Sequence, residues 1–192
     1  KTSMPVLEGI LISAELGKVT LISYNLEMGM KKEIYAKCEE AGDIVVNARL
    51  LADILRRMNG LQVTIEADDK LNCHIKCGET TFDIMGMAAE DFPEMPTVGS
   101  DKSIVIDADI FSEMVKGTIF AVAQNEGAKP ILTGIYVTIE DRILRFVAID
   151  GYRLAIRRHN IDIEGSFSFI LSGRAVGEAV KLIDEETENV EI

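Results

Sequence analysis

The chain has 192 residues, of which 47% are hydrophobic and 27% are charged, a composition that excludes a disordered protein. It carries 20 basic against 32 acidic residues, and the resulting net charge of −12 argues against a simple basic nucleic-acid-binding patch. A chain of this length forms one large domain or two of about 100 residues each.

Alternating apolar and polar positions predict the elements of the first half of the chain. Four strands are expected over roughly 6–14, 18–23, 28–36 and 43–46. Asn47 is a typical N-cap for a helix over 48–58, whose apolar stripe ends before Asn59 and Gly60. Three more strands are expected over 61–67, 71–77 and 80–85, and the proline-containing segment 92–100 is expected to connect the two halves.

The second half starts with a strand over 104–106 and a helix that Asp107 caps and that runs to about residue 123. Four strands follow over 132–140, 143–149, 154–160 and 168–171, then a helix over 174–183 and a strand at Val190. Runs of hairpins beside single helices indicate an α+β fold, with helices on one face of antiparallel sheets.

An internal repeat relates the two halves. Residues 4–12 (MPVLEGILI) recur as 129–137 (KPILTGIYV), and residues 46–58 (VNARLLADILRRM) recur as 171–183 (LSGRAVGEAVKLI), both with an offset of 125. By this offset the first copy lacks about 22 residues before Lys1, and the second copy stops at Ile192 before the repeat is complete. We therefore interpret the chain as a fragment of a longer protein, with domains at 1–98 and 99–192.

The sequence offers no catalytic constellation, so we predict no catalytic residue, metal or cofactor. It contains no phosphate-binding loop, no dinucleotide fingerprint and no nucleophile elbow. Cys73 and Cys77 share one face of a predicted strand while His74 points to the other, which favours small buried side chains over a zinc site. An odd count of three cysteines, without a signal-peptide pattern or a membrane-length apolar run, predicts a cytoplasmic protein.

Basic residues recur at matching positions of the two predicted helices. Arg49 and Arg56 are seven residues apart, and Arg174 and Lys181 repeat that spacing 125 residues later. Seven residues make two helical turns, so each helix presents one basic stripe. Two interpretations stay open: the stripe solvates an exposed helix face, or it contacts phosphates without reading bases.

Three longer runs resemble the bacterial sliding clamp, the beta subunit of DNA polymerase III. These are 82–96 (FDIMGMAAEDFPEMP), 120–123 (FAVA) leading to 130–134 (PILTG), and 147–155 (VAIDGYRLA), and the resemblance spans nearly the whole chain. It implies a DNA-clamp fold, with three like domains per subunit and two subunits in a ring that has helices inside and sheets outside. By this resemblance 1–98 is domain one without its first strand and helix, 99–192 is domain two without its last strands, and domain three is absent.

The resemblance also implies a function: a non-catalytic processivity factor that encircles double-stranded DNA. Its partners would be the DNA polymerase III catalytic subunit, the clamp loader and repair polymerases, which insert short peptides into a hydrophobic cleft. Full-length subunits would form a homodimeric ring, which the fragment alone should not be able to close. The implied cleft residues are Leu132, Ile149, Gly151, Tyr152, Arg153 and Leu154. The candidate DNA-facing residues are Arg49, Arg56, Lys129, Arg174 and Lys181.

Two features leave alternatives open. Ile149 and Tyr152 stand where the family usually has threonine and histidine, which makes the rim of the cleft more apolar. Asp150 and Gly151 also fit a plain hairpin turn. The alternative function is a stand-alone acidic protein-interaction module, in which the loop at Gly151 binds protein.

Overall fold

The structure is a computed structural model that describes residues 4–97, 103–124, 127–163 and 165–192. The chain divides into two compact units, Lys1–Val98 and Gly99–Ile192. The connector predicted over 92–100 is described only as far as Thr97, and its last residues lie outside the described part of the chain. Among the described helices, none is both long enough and apolar enough to cross a membrane.

The first unit contains two antiparallel sheets and one α-helix. After a 3₁₀ helix, Pro5–Glu8, come β1 (Gly9–Glu15), β2 (Lys18–Tyr24), β3 (Gly29–Tyr35), β4 (Gly42–Asn47), α1 (Ala48–Arg57), β5 (Thr64–Ala67), β6 (Asn72–Cys77), β7 (Thr80–Met85) and a 3₁₀ helix, Ala89–Asp91. The strand orders are β3-β2-β1-β4 and β5-β6-β7.

The second unit repeats the four-stranded sheet and adds a helix before it. Its elements are β8 (Val105–Asp107), α2 (Ala108–Lys116), the 3₁₀ helices Ile119–Ala121 and Pro130–Leu132, β9 (Gly134–Glu140), β10 (Ile143–Ile149), β11 (Leu154–Asn160), β12 (Phe167–Ser172), α3 (Gly173–Ala179), the 3₁₀ helix Val180–Leu182 and β13 (Asn189–Glu191). The strand orders are β11-β10-β9-β12 and β13-β8.

The structure confirms the α+β class and the repeat. In the first unit Leu11 lies opposite both Ile22 and Val45. In the second unit Tyr136, 125 residues later, lies opposite Val147 and Ile170. The two four-stranded sheets therefore share their topology and their register. The predicted capping of α1 is also confirmed, because the Asn47 side chain accepts a hydrogen bond from the Leu50 amide.

Several predicted boundaries are wrong. The strand expected from residue 6 begins at Gly9, because Pro5–Glu8 is a 3₁₀ helix, and Leu132 likewise lies in a 3₁₀ helix before β9 rather than within a strand. The strand expected from residue 61 begins at Thr64. These ends carry no regular apolar alternation to mark where pairing starts.

The two helices of the second unit are shorter than predicted. α2 ends at Lys116, and Thr118 donates its hydroxyl to the Met114 carbonyl oxygen at 2.8 Å, a contact that closes the helix end. The helix expected over 174–183 is α-helical only to Ala179 and continues as the 3₁₀ helix Val180–Leu182.

The helices of each unit cover one face of its four-stranded sheet. In the first unit α1 packs Leu51 and Ile54 into a cluster with residues of β1 and β4. In the second unit α2 and α3 contribute to a larger core, in which the rings of Phe111 and Phe146 meet edge to face with centroids 6.1 Å apart. On the opposite face of the first sheet, Val45 packs with Val6 and Phe92.

Candidate functional site

The hairpin between β10 and β11 is held by one carboxylate. Asp150 accepts hydrogen bonds on Oδ1 from the backbone amides of Tyr152 (2.9 Å) and Arg153 (2.8 Å). Its Oδ2 accepts two charge-assisted hydrogen bonds, from Nε and Nη2 of Arg153 at 2.9 and 2.8 Å. These hydrogen bonds lower the pKa of Asp150 from 3.8 to about 2, with the two backbone amides contributing more than the guanidinium. The hairpin tip is therefore fixed by a carboxylate that stays ionised.

The same turn occurs in the first unit, which supports the plain hairpin interpretation of Asp150 and Gly151. Asn25 accepts from the amides of Glu27 (3.0 Å) and Met28 (2.7 Å), as Asp150 does 125 residues later. The following residue has a positive φ in both turns, 73° for Leu26 and 91° for Gly151. The turn thus belongs to the repeated fold, and glycine relieves its strain in the second unit.

The hairpin presents three of the predicted cleft residues as exposed apolar side chains. Ile149 and Leu154 lie directly opposite each other at the ends of β10 and β11, and they are 42% and 60% exposed. Tyr152, at the tip, is 97% exposed. An exposed cluster of this kind, on a turn fixed by Asp150, is typical of a binding surface.

Leu132 reaches the same end of the sheet from a different segment. Its 3₁₀ helix is followed by β9, which starts at the sheet end where antiparallel β10 stops. Its amide donates to the Lys129 carbonyl oxygen (2.8 Å), and its own carbonyl accepts from Ala123 (2.9 Å). The structure thus places Leu132 near the end of the sheet that carries the hairpin, half-buried, with exposed Lys129 three residues before it.

All five predicted basic residues are exposed, four of them on helices and Lys129 just before one. The structure adds acidic neighbours that sequence reasoning missed. Arg56 Nη1 lies 3.3 Å from Oδ1 of Asp53, and Lys181 Nζ lies 2.7 Å from Oε1 of Glu178. Both pairs span three residues, and they match each other at the repeat offset of 125. The i,i+3 spacing of opposite charges was the signal in the sequence that could have identified them.

The stripe in the second unit differs from the one predicted. Arg174 lies in α3, but Lys181 lies in the 3₁₀ helix that follows. A 3₁₀ helix turns about 20° more per residue than an α-helix, so the two side chains are not stacked two regular turns apart. In α1 the spacing holds, and Arg49 and Arg56 are both exposed on the helix.

The structure places the cysteines and His74 on opposite faces of the sheet β5-β6-β7, as predicted. Cys73 and Cys77 are buried, and burial raises the pKa of the Cys73 thiol. His74 lies on the exposed face, where its Nδ1 is 2.5 Å from Oδ1 of Asp83, and this hydrogen bond raises the pKa of His74. Within the described residues, no group of three or more His, Cys, Asp or Glu side chains could hold a metal ion.

Comparisons with known families match both units. Residues 1–96 match the family described as DNA polymerase III beta subunit, N-terminal domain, and residues 105–192 match the central domain of the same subunit. The beta sliding clamp of Bacillus subtilis (strain 168) is 29% identical over 203 residues, covering 100% of this chain and 53% of its own length. That of Synechococcus elongatus is 34% identical over 155 residues, covering 79% of this chain and 41% of its own length.

The solved structures that resemble this chain belong to the same family as its sequence relatives. A putative DNA polymerase III beta subunit from Eubacterium rectale superposes with a TM-score of 0.92 at 31% identity, over 100% of this chain and 52% of that one. The DNA polymerase sliding clamp from Bacillus subtilis gives a TM-score of 0.92 at 28% identity, over 100% and 53%. The chain thus spans about half the length of the relatives it matches.

Proposed function

Because the chain belongs to the DNA polymerase III beta subunit family of sliding clamps, we propose that it forms part of a ring that encircles double-stranded DNA and tethers a polymerase. The observation that carries this proposal is the match of its two units, in order, to the N-terminal and central domains of that family. Units 1–98 and 99–192 are then clamp domains one and two. The same match favours this function over a stand-alone acidic interaction module.

A ring holds DNA by topology, which reconciles the function with a net charge of −12. Only the surface that lines the hole needs to tolerate phosphates, and a few basic side chains are enough there. Our candidates for that surface are Arg49 and Arg56 on α1, Arg174 on α3, Lys181 in the 3₁₀ helix after α3, and Lys129 just before the 3₁₀ helix that leads to β9. Contacts of this kind do not depend on base sequence.

The ion pairs on the helices suit a ring that must move along its track. Arg56 and Lys181 each have a carboxylate within reach, from Asp53 and Glu178. A phosphate must compete with that carboxylate, so each contact with DNA is weak and exchanges readily. Weak contacts allow sliding, while the closed ring prevents dissociation.

Partners are expected to bind at the β10–β11 hairpin. Ile149, Tyr152 and Leu154 expose apolar surface on a turn that the Asp150–Arg153 pair keeps in one conformation. A preformed apolar surface suits short peptides that order on binding, because the protein side loses little entropy. We propose that the DNA polymerase III catalytic subunit, the clamp loader and repair polymerases present such peptides here, with Leu132, Gly151 and Arg153 completing the wall.

The role proposed here is mechanical rather than catalytic, and it requires no cofactor. Full-length subunits would act in the cytoplasm as a homodimeric ring. No bond is made or broken by the clamp itself, because the gain in polymerase processivity comes from keeping the enzyme close to its template, an effective-concentration effect.

The test is topological and uses the full-length polypeptide that contains these two units. The protein is loaded with its clamp loader onto nicked circular DNA, and the DNA is then cut once or left circular. We expect the protein to stay on the circle and to leave the linear DNA, at the same salt concentration. Equal retention on both, with loss on raising the salt, would overturn the proposal, since it would indicate direct electrostatic binding.

A further inference from the structure

A methionine attaches the stretch 92–97, at the end of the first unit, to the four-stranded sheet of that unit. A Cβ on Gly29, in edge strand β3, would collide with the sulfur of Met95 and would lie 2.9 Å from its Cγ. The same point is 3.3 Å from Cδ2 of Tyr24. Because glycine has no side chain, the thioether fills this notch beside the tyrosine ring, where a sulfur–aromatic contact is favourable.

Packing rather than hydrogen bonding holds this stretch in place. Phe92 is buried in a cluster with Val6 and Val45. Among the described residues that follow it, 93–97, none forms a hydrogen bond or an ion pair. The attachment of these residues therefore depends on side-chain packing, to which Met95 contributes its contact with β3.

Met95 is also placed where a small oxidant can reach it. Its side chain is half-buried, whereas Met114 in the core of the second unit is 3% exposed. A thioether reacts without being ionised, so access to the oxidant decides which methionine is oxidised. Met85 is more accessible, at 69% exposed. Of the described glycines, however, Gly29 is the one whose missing Cβ leaves room for a methionine sulfur.

We propose that Met95 is a site of reversible oxidation that detaches the stretch 93–97 from the first sheet. Hydrogen peroxide is the oxidant: the sulfur lone pair attacks one peroxide oxygen, the O–O bond breaks, and the sulfoxide and one water molecule are formed. The sulfur loses two electrons and the peroxide gains them, so no other reactant is needed. The proposal does not depend on the sliding-clamp function.

The notch has no room for the added oxygen. The sulfur already lies where a Cβ at Gly29 would collide with it, and a sulfoxide is polar and prefers water to an aromatic ring. Oxidation therefore favours detachment of 93–97. The buried ring of Phe92 and the backbone bridge between Val45 and Met87 keep the preceding residues in place. Methionine sulfoxide reductases reverse the oxidation, so the detachment is a switch.

The test uses the full-length protein and a glutamate-specific protease, which cleaves the Glu94–Met95 bond when this stretch is detached. Oxidation of Met95, measured by peptide mass spectrometry, should speed this cleavage by about three- to ten-fold, the range that loss of a sulfur–aromatic contact supports. A methionine sulfoxide reductase should restore the slow rate. Gly29→Ala, whose Cβ would displace the sulfur, should be cleaved fast without peroxide. A free peptide of residues 90–99 corrects for any effect of the sulfoxide on the protease.

Two variants separate Met95 from the other methionines. Met95→Leu keeps an apolar side chain of similar size and should be cleaved slowly before and after peroxide treatment. Met85→Leu is the matched control, because Met85 lies on the other sheet of the first unit and its loss should leave the response intact.

Three results would overturn the proposal. The first is that Met95 stays reduced at a peroxide dose that oxidises Met85. The second is that cleavage after Glu94 is unchanged once Met95 is oxidised. The third is that the Met95→Leu protein responds to peroxide as the unaltered protein does, since another methionine would then be responsible.

Discussion

Arg153 binds the Asp150 carboxylate through both Nε and Nη2 while the Arg153 backbone amide binds the other carboxylate oxygen. One residue thus closes the hairpin tip by its main chain and by its side chain. This arrangement sets the direction in which Tyr152 and Leu154 leave the turn, so it connects a local hydrogen-bond pattern to the proposed peptide cleft.

We predict that the hairpin loosens at acidic pH only well below the usual range for an aspartate. The pKa of Asp150 is lowered from 3.8 to about 2. The ionised carboxylate therefore contributes fully to stability above pH 3.8, and this contribution is lost as the pH falls through about 2. The amide shifts of Tyr152 and Arg153, followed against pH, should show a midpoint near 2. Arg153→Gln should raise that midpoint, and a midpoint near 3.8 in the unaltered chain would contradict the assignment.

Truncating the apolar wall should weaken peptide binding. In the full-length protein, Leu132→Ala with Leu154→Ala should reduce the affinity for a labelled clamp-binding peptide by at least about ten-fold, because each substitution removes apolar surface that the peptide covers. Fluorescence anisotropy measures this. Leu16→Ala is the control, since Leu16 is 94% exposed on the first unit. Unchanged affinity in the double variant would remove Leu132 and Leu154 from the cleft.

Neutralising the paired basic residues should change how salt affects DNA binding. Arg56→Gln and Lys181→Gln in the full-length ring should each reduce the slope of log affinity against log salt by about one, if each contacts one phosphate. Asp53→Asn and Glu178→Gln remove the competing carboxylates and should strengthen binding. A slope that none of these variants alters would mean that the stripe only solvates the helices.

A repeated glycine should be intolerant of a side chain. A Cβ on Gly134 would lie 2.5 Å from Cγ2 of Ile170 and 2.6 Å from the Leu171 carbonyl oxygen. Gly134→Ala should therefore lower the free energy of unfolding by about 1–3 kcal/mol through overpacking. Urea denaturation measures it, with Gly42→Ala as the matched control, because a Cβ at Gly42 meets nothing within 4 Å. Equal stabilities for the two variants would contradict the close approach.

His74 should titrate above its ordinary pKa of 6.5. The hydrogen bond to Asp83 makes the largest contribution to the raised pKa of His74, and the negative charges of Asp83, Asp68 and Glu66 raise it further. The stabilising contribution is present below pH 6.5 and is lost as the pH rises through the higher pKa of the folded state. Imidazole proton shifts should show this, with a lower midpoint in Asp83→Asn and no change in Asp162→Asn. A midpoint that Asp83→Asn leaves in place would exclude the pair.

The sequence alone was sufficient for features that depend on neighbours along the chain. Local pattern was enough to predict the offset of 125 residues, the Asn47 cap, the strands 143–149 and 154–160, and the opposite faces of Cys73 and His74. The structure agrees with each of these predictions. Local pattern did not predict the 3₁₀ helices at Pro5 and Pro130 or the early end of α2. Short helical turns have no period that distinguishes them from the ends of strands or helices.

Only the tertiary structure decided which repeated positions are equivalent in environment as well as in sequence. Val45 and Ile170 hold the same register position, yet one is completely buried and the other is 44% exposed. Burial depends on what packs against a face from distant parts of the chain, and the segment that carries Met87 and Phe92 reaches Val45 from more than 40 residues away. Periodicity identifies an apolar face, but only long-range packing determines how deeply each residue of that face is buried.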